Sequence, residues 1–114
     1  TSIRRLNWTN ALRTVADDAD LLQEVLTAFL EEGPELQIRL RSAAAAGDWL
    51  EVGKTSHTLQ AALRLFGGEV LDRAVALESC CKLGQGEESR VLFEKFSKEL
   101  ENVLEEVRGY LKGN

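Results

Sequence analysis

The chain has 114 residues, 44% of them hydrophobic and 29% charged, which suits one globular domain and excludes wholesale disorder or a fibrous repeat. Its 14 Lys and Arg face 19 Asp and Glu, a formal charge of -5. That is the wrong sign for a surface that gathers on nucleic acid or anionic lipid, so neither is an expected partner. No apolar run approaches the roughly 20 residues that cross a bilayer, and the opening TSIRRLNW lacks the apolar core of a signal peptide. A cytoplasmic location is expected. A start at Thr1 and the absence of Met suggest a domain excised from a longer protein.

With Pro34 the single proline and no period-2 alternation, nothing asks for a sheet. Trp8, Leu12 and Val15 recur at i, i+4 and i+7, so a short first helix is expected from Trp8 to Val15. Asp17 and Asp18 end it or cap the next. From about Asp18 to Ala46, Leu22, Val25, Leu26, Phe29, Leu36, Leu40 and Ala43 or Ala44 keep helical spacing. This is one long helix, kinked or straight, or two helices broken at Gly33-Pro34. Gly47-Asp48 reads as a stop followed by an N-cap, and a third helix runs from about Trp49 to Phe66. Gly67-Gly68 ends it. A fourth helix, about Glu69 to Leu83, carries Val70, Leu71, Ala74, Leu77 and Cys81 on one side, and Gly84-Gln85-Gly86 makes the next turn. The fifth, about Glu87 to Leu111, repeats Val91, Leu92, Phe96, Leu100, Val103, Leu104, Val107 and Leu111 at steps of mostly three and four.

Short connections between long helices make neighbours antiparallel. The expected fold over residues 1–114 is therefore a single all-α domain: an antiparallel up-down four-helix bundle with a short extra N-terminal helix. A monomer is the default. Cys80 and Cys81 are adjacent, where a bridge would be strained, and they read as reduced thiols on a helix. One His and two Cys cannot complete a metal site of the usual donor sets, so no metal is expected.

Little in the chain carries chemistry. Gly67-Gly68 is too short a glycine pattern to cradle a nucleotide, and the pairs Glu31-Glu32, Glu87-Glu88 and Glu105-Glu106 read as solvated surface. His57 remains. On a wheel of 100° per residue, Trp49, Val52, Ser56, Leu59, Leu63 and Phe66 form the core-facing stripe, and His57 projects about 130° from its centre. Its neighbours on that face are Lys54, Ala61 and Arg64. Position alone favours an idle surface histidine. An imidazole standing in water is, however, largely the neutral nucleophile at pH 7. Once phosphorylated it would carry negative charge that Lys54 and Arg64 could stabilise.

The segment KTSHTLQAALRLFGG, Lys54 to Gly68, resembles the signature of histidine-containing phosphotransfer (HPt) domains, A-H-T-L-K-G followed by a further glycine. His57, Thr58, Leu59 and Gly67 match at the right offsets, with Phe66 an apolar residue before the glycine. Asp20-Leu21-Leu22, Phe29, Glu31-Glu32, Pro34-Glu35, Leu40, Gly47-Asp48 and Leu77-Glu78 extend the likeness over most of the chain.

The resemblance implies a phosphocarrier without a nucleotide site. His57 would accept a phosphoryl group from a receiver-domain aspartate and pass it to another receiver. Response-regulator receivers and a hybrid histidine kinase are the implied partners, with Mg²⁺ held by the receiver and no cofactor in this chain. Lys54, Arg64 and Gln60 would lie on the phosphate's side. The family lysine is replaced by Gln60 and the family glycine by Ala61. A polar residue of the fourth helix, Glu78 or Ser79, would fix the imidazole tautomer, and Ala61, Ala62 and Leu65 would form an apolar docking patch. Two other readings remain: a degenerate domain that docks receivers without efficient transfer, and a plain helical interaction module.

Overall fold

The computed structural model describes residues 6–113. Five helices follow in chain order: α1 Trp8–Thr14, α2 Ala19–Ala45, α3 Trp49–Leu63, α4 Gly68–Lys82 and α5 Gly86–Gly113. Side-chain caps start three of them. Asn7 accepts from the Asn10 amide, Asp18 from those of Asp20 and Leu21, and Asp48 from that of Glu51. Each satisfies amide groups that a helix N-terminus leaves without partners. α2 runs unbroken through Pro34, which settles the choice left open at Gly33-Pro34 in favour of one long helix.

Each long helix packs on its chain neighbour and α5 closes against α2, giving the four-helix bundle, with α1 as the short extra helix. The interior is apolar: Leu22, Leu26 and Leu40 of α2, Val52, Leu59 and Leu63 of α3, Leu77 of α4, and Phe96, Leu100, Leu104 and Val107 of α5 are fully buried. The 28 residues of α5 make a rod of about 42 Å, matching the 41 Å long axis of the molecule. α3 and α4, at 15 residues each, are much shorter. α1 covers the end of that shorter pair. Trp8 stacks on Tyr110 of α5 and meets Phe66 edge-on, and its indole N–H donates to the buried Glu106.

α3 ends at Leu63, three residues before the expected end at Phe66. Gly67 and Gly68, at φ +67° and +70°, turn the chain through left-handed backbone that a side chain rarely adopts. The shortened helix has a consequence for Leu65. A wheel continued to Phe66 directs Leu65 to the outer face, but the turn folds it inward and leaves it 7% exposed. The expectation that Leu65 belongs to a docking patch is therefore corrected.

The carbonyls of that turn are bonded from α1. Asn10 Nδ2 donates to Leu65 O at 3.1 Å and to Phe66 O at 3.3 Å. Asn10→Ala is expected to lower the free energy of unfolding by about 1–2 kcal/mol, the loss of two partly buried hydrogen bonds, as measured by urea denaturation. An unchanged midpoint and slope would show that these two hydrogen bonds contribute nothing to stability.

Candidate functional site

His57 lies in the middle of α3 with 65% of its side chain exposed. The helix holds it there because Val52, Ser56, Leu59 and Leu63 are buried on the opposite side, as their spacing requires. One edge of the ring is bonded all the same. His57 Nδ1 stands 3.1 Å from Glu78 Oε1 and 3.0 Å from Oε2. An ionised carboxylate only accepts, so Nδ1 carries the hydrogen, and in the neutral ring Nε2 keeps its lone pair.

The approach of α4 to α3 makes this contact possible. A Cβ on Gly53, one turn before His57, would meet Cys81 Cβ at 3.0 Å, tighter than ordinary packing, so a glycine suits the crossing. Ser56 Oγ donates to Ala74 O at 2.7 Å in the buried seam between the helices. One turn beyond Ala74, Glu78 then lies at the level of the imidazole. Ser79, the other candidate for fixing the tautomer, is exposed, and Glu78 is the residue against the ring.

Glu78 is itself held from two sides. Gln60 Nε2 donates to its Oε1 at 2.8 Å, and Lys82 Nζ lies 3.0 Å from Oε2. Gln60 is 4% exposed and also reaches Ala74 O at 3.4 Å. The expectation of Gln60 on the phosphate's side is corrected accordingly: its amide faces α4, away from water.

The other expected residues separate. Lys54 and Thr58 line one shallow groove with His57, together with Leu50, Gly53, Glu78, Cys81 and Lys82. Arg64 is the exposed C-cap of α3, seven residues and about 10 Å along the axis from His57. The second cation beside the ring is Lys82 on α4, which spacing along α3 could not reveal; its signal was the i+4 relation to Glu78. Ala61 is exposed and Ala62 half-buried. Larger apolar surface comes from Leu50, 63% exposed, and from the exposed Val75 one turn before Glu78. Cys80 and Cys81 are buried as free thiols. Among the described residues, no three His, Cys, Asp or Glu are gathered as metal ligands, and no helix is long and apolar enough to cross a membrane.

The Hpt domain family profile matches residues 24–110, from α2 to near the end of α5. The chain belongs to the Hpt domain family. A solved structure, the HPt domain of a sensor hybrid histidine kinase from Shewanella, superposes with a TM-score of 0.87 at 23% identity, covering 96% of this chain and 95% of that one. It shares the fold. No curated protein matches the chain.

Burial alone would raise the Glu78 carboxyl, but hydrogen bonds from Gln60, Lys82 and His57, with the charge of His57, hold it down at about 2. The unfolded chain takes up this proton near 4.5 and the folded chain later. The stability so contributed is complete above the higher value and is lost as pH falls toward the lower one. Glu78→Gln is expected to flatten the acid limb of stability against pH in that window. An acid limb identical to that of the unaltered chain would contradict the ionised, bonded carboxylate.

Proposed function

We propose that this domain is a phosphocarrier of a two-component phosphorelay, with His57 as the phosphoacceptor. The supporting observation is an imidazole tied at Nδ1 to Glu78 while Nε2 is left for attack on the open face of a stiff helix. In the proposed step the Nε2 lone pair attacks the phosphorus of a receiver's aspartyl phosphate. The N–P bond forms, the P–O bond to the aspartate breaks, and the carboxylate leaves with its electron pair. The ring gains positive charge as the bond forms, and Glu78 lies where it stabilises that charge. Transfer to a second receiver is the reverse step onto another aspartate.

Mg²⁺ and the acidic pocket belong to the receiver and supply most of the charge neutralisation on the phosphoryl group. This chain contributes position and two cations, Lys54 and Lys82, beside the ring. Response-regulator receivers are the proposed partners, a hybrid histidine kinase the proposed source, and the cytoplasm the proposed location, with the domain acting as a monomer. Leu50, Ala61 and Val75 offer apolar surface to a receiver, in place of a patch that includes Leu65.

Incubation with a phosphorylated receiver, or with a small phosphoramidate donor, is expected to yield an acid-labile phosphoryl group that is absent from His57→Gln. A label retained by His57→Gln would overturn the assignment. Receiver binding without labelling would instead support the docking-only alternative. Lys54→Ala and Lys82→Ala are each expected to slow labelling about two- to fivefold, the rate equivalent of an exposed ion pair, and Arg64→Ala less. A larger effect of Arg64→Ala than of either lysine variant would contradict the placement of charge.

A further inference from the structure

The residue three positions after His57 is a lysine in the signature that this segment resembles, and here it is Gln60. Its replacement removes a cation from the phosphate's side, and nothing restores one at that position, because the side chain is buried and directed at α4. The amide is instead engaged with Glu78. An ionised carboxylate offers no hydrogen, so the amide must present Nε2, which donates to Glu78 Oε1 at 2.8 Å and reaches Ala74 O at 3.4 Å. The same Oε1 lies 3.1 Å from His57 Nδ1, and Oε2, on which Lys82 rests, lies 3.0 Å from it.

We infer that Gln60 is a positioning residue: its buried carboxamide fixes the Glu78 carboxylate in the orientation that selects the Nδ1–H tautomer of His57. Lys82 cannot do this alone. Its side chain is 70% exposed, and an ammonium on a flexible stem in water defines a partner's rotamer weakly. Without the Gln60 bond the carboxylate keeps only the flexible Lys82 as a partner besides the ring, and the acceptor that distinguishes the two neutral forms of the imidazole is held less firmly. Gln60 touches neither phosphorus nor receiver in this account, and its effect passes through Glu78. The consequence for transfer rests on the phosphocarrier role proposed above, whereas the coupling to the ring does not.

His57 is the single histidine of the chain, so ¹⁵N spectra of ring-labelled protein report its tautomer directly, at a pH where the ring is neutral. Gln60→Met, which keeps length and loses the donor, is expected to lower the ratio of the Nδ1–H to the Nε2–H form about fivefold, the equivalent of one hydrogen bond. Labelling by a phosphoramidate should slow by a similar factor. Gln60→Lys retains a donor and is expected to keep the ratio close to that of the unaltered chain. A folded Gln60→Met protein with an unchanged ratio would overturn the proposal. Should Gln60→Met fail to fold, the side-chain amide protons of Gln60 in the Glu78→Ala protein decide. They are expected to shift and exchange faster, and unchanged amide signals would overturn the coupling. An unaltered chain that takes no phosphoryl group but shows the tautomer response refutes the carrier role alone. Labelling on His57 with an unresponsive tautomer refutes the Gln60 role alone.

Discussion

A carboxylate on one helix reaches an imidazole on the next, and the remaining features of the site depend on that contact. It requires α3 and α4 to approach closely, which Gly53 against Cys81 permits and the Ser56 bond to Ala74 holds in register. Given that register, Glu78 meets Nδ1 of His57, and the opposite nitrogen is left toward solvent. A bundle with the same helices but a wider seam would present an imidazole free to spin and free to choose its tautomer. The scaffold's contribution is therefore geometric before it is chemical.

The charge distribution around the ring is asymmetric in a way that suits a carrier. On the buried side a carboxylate, kept ionised by Gln60, Lys82 and His57, can stabilise positive charge that develops in the imidazole. Lys54 and Lys82 line the groove that His57 shares with Glu78, within a chain whose net charge is negative. Of the two, Lys82 also pairs with Glu78. Neither cation is in a setting that makes it strong. A phosphoryl group held by weak, exposed charges is one that can be surrendered, which agrees with a transfer intermediate better than with a store.

The helices were legible because their apolar stripes, aspartate caps and glycine turns all pointed the same way, and the boundaries fall within a residue or two except at the end of α3. There the wheel was continued through residues that have already left the helix, which is why Leu65 was placed outside when it packs inside. His57 was legible for the same reason that Leu65 was not, because it lies in the regular part of α3. Gln60 falls about 70° from the centre of the buried stripe, a boundary angle from which the wheel alone assigns neither water nor core. The choice between Glu78 and Ser79 turns on the phase of α4, which starts at the left-handed pair Gly67-Gly68. Lys82 was missed because cross-helix neighbours do not share a spacing along the chain.

His57 offers Nε2 because Glu78 holds Nδ1–H. Phosphorylating ¹⁵N-ring-labelled protein and reading the one-bond coupling between phosphorus and nitrogen tests it most directly. Phosphorus is expected on Nε2 of His57 alone. Phosphorus on Nδ1, or a phosphorylated chain whose imidazole shows no coupling at all, would contradict it.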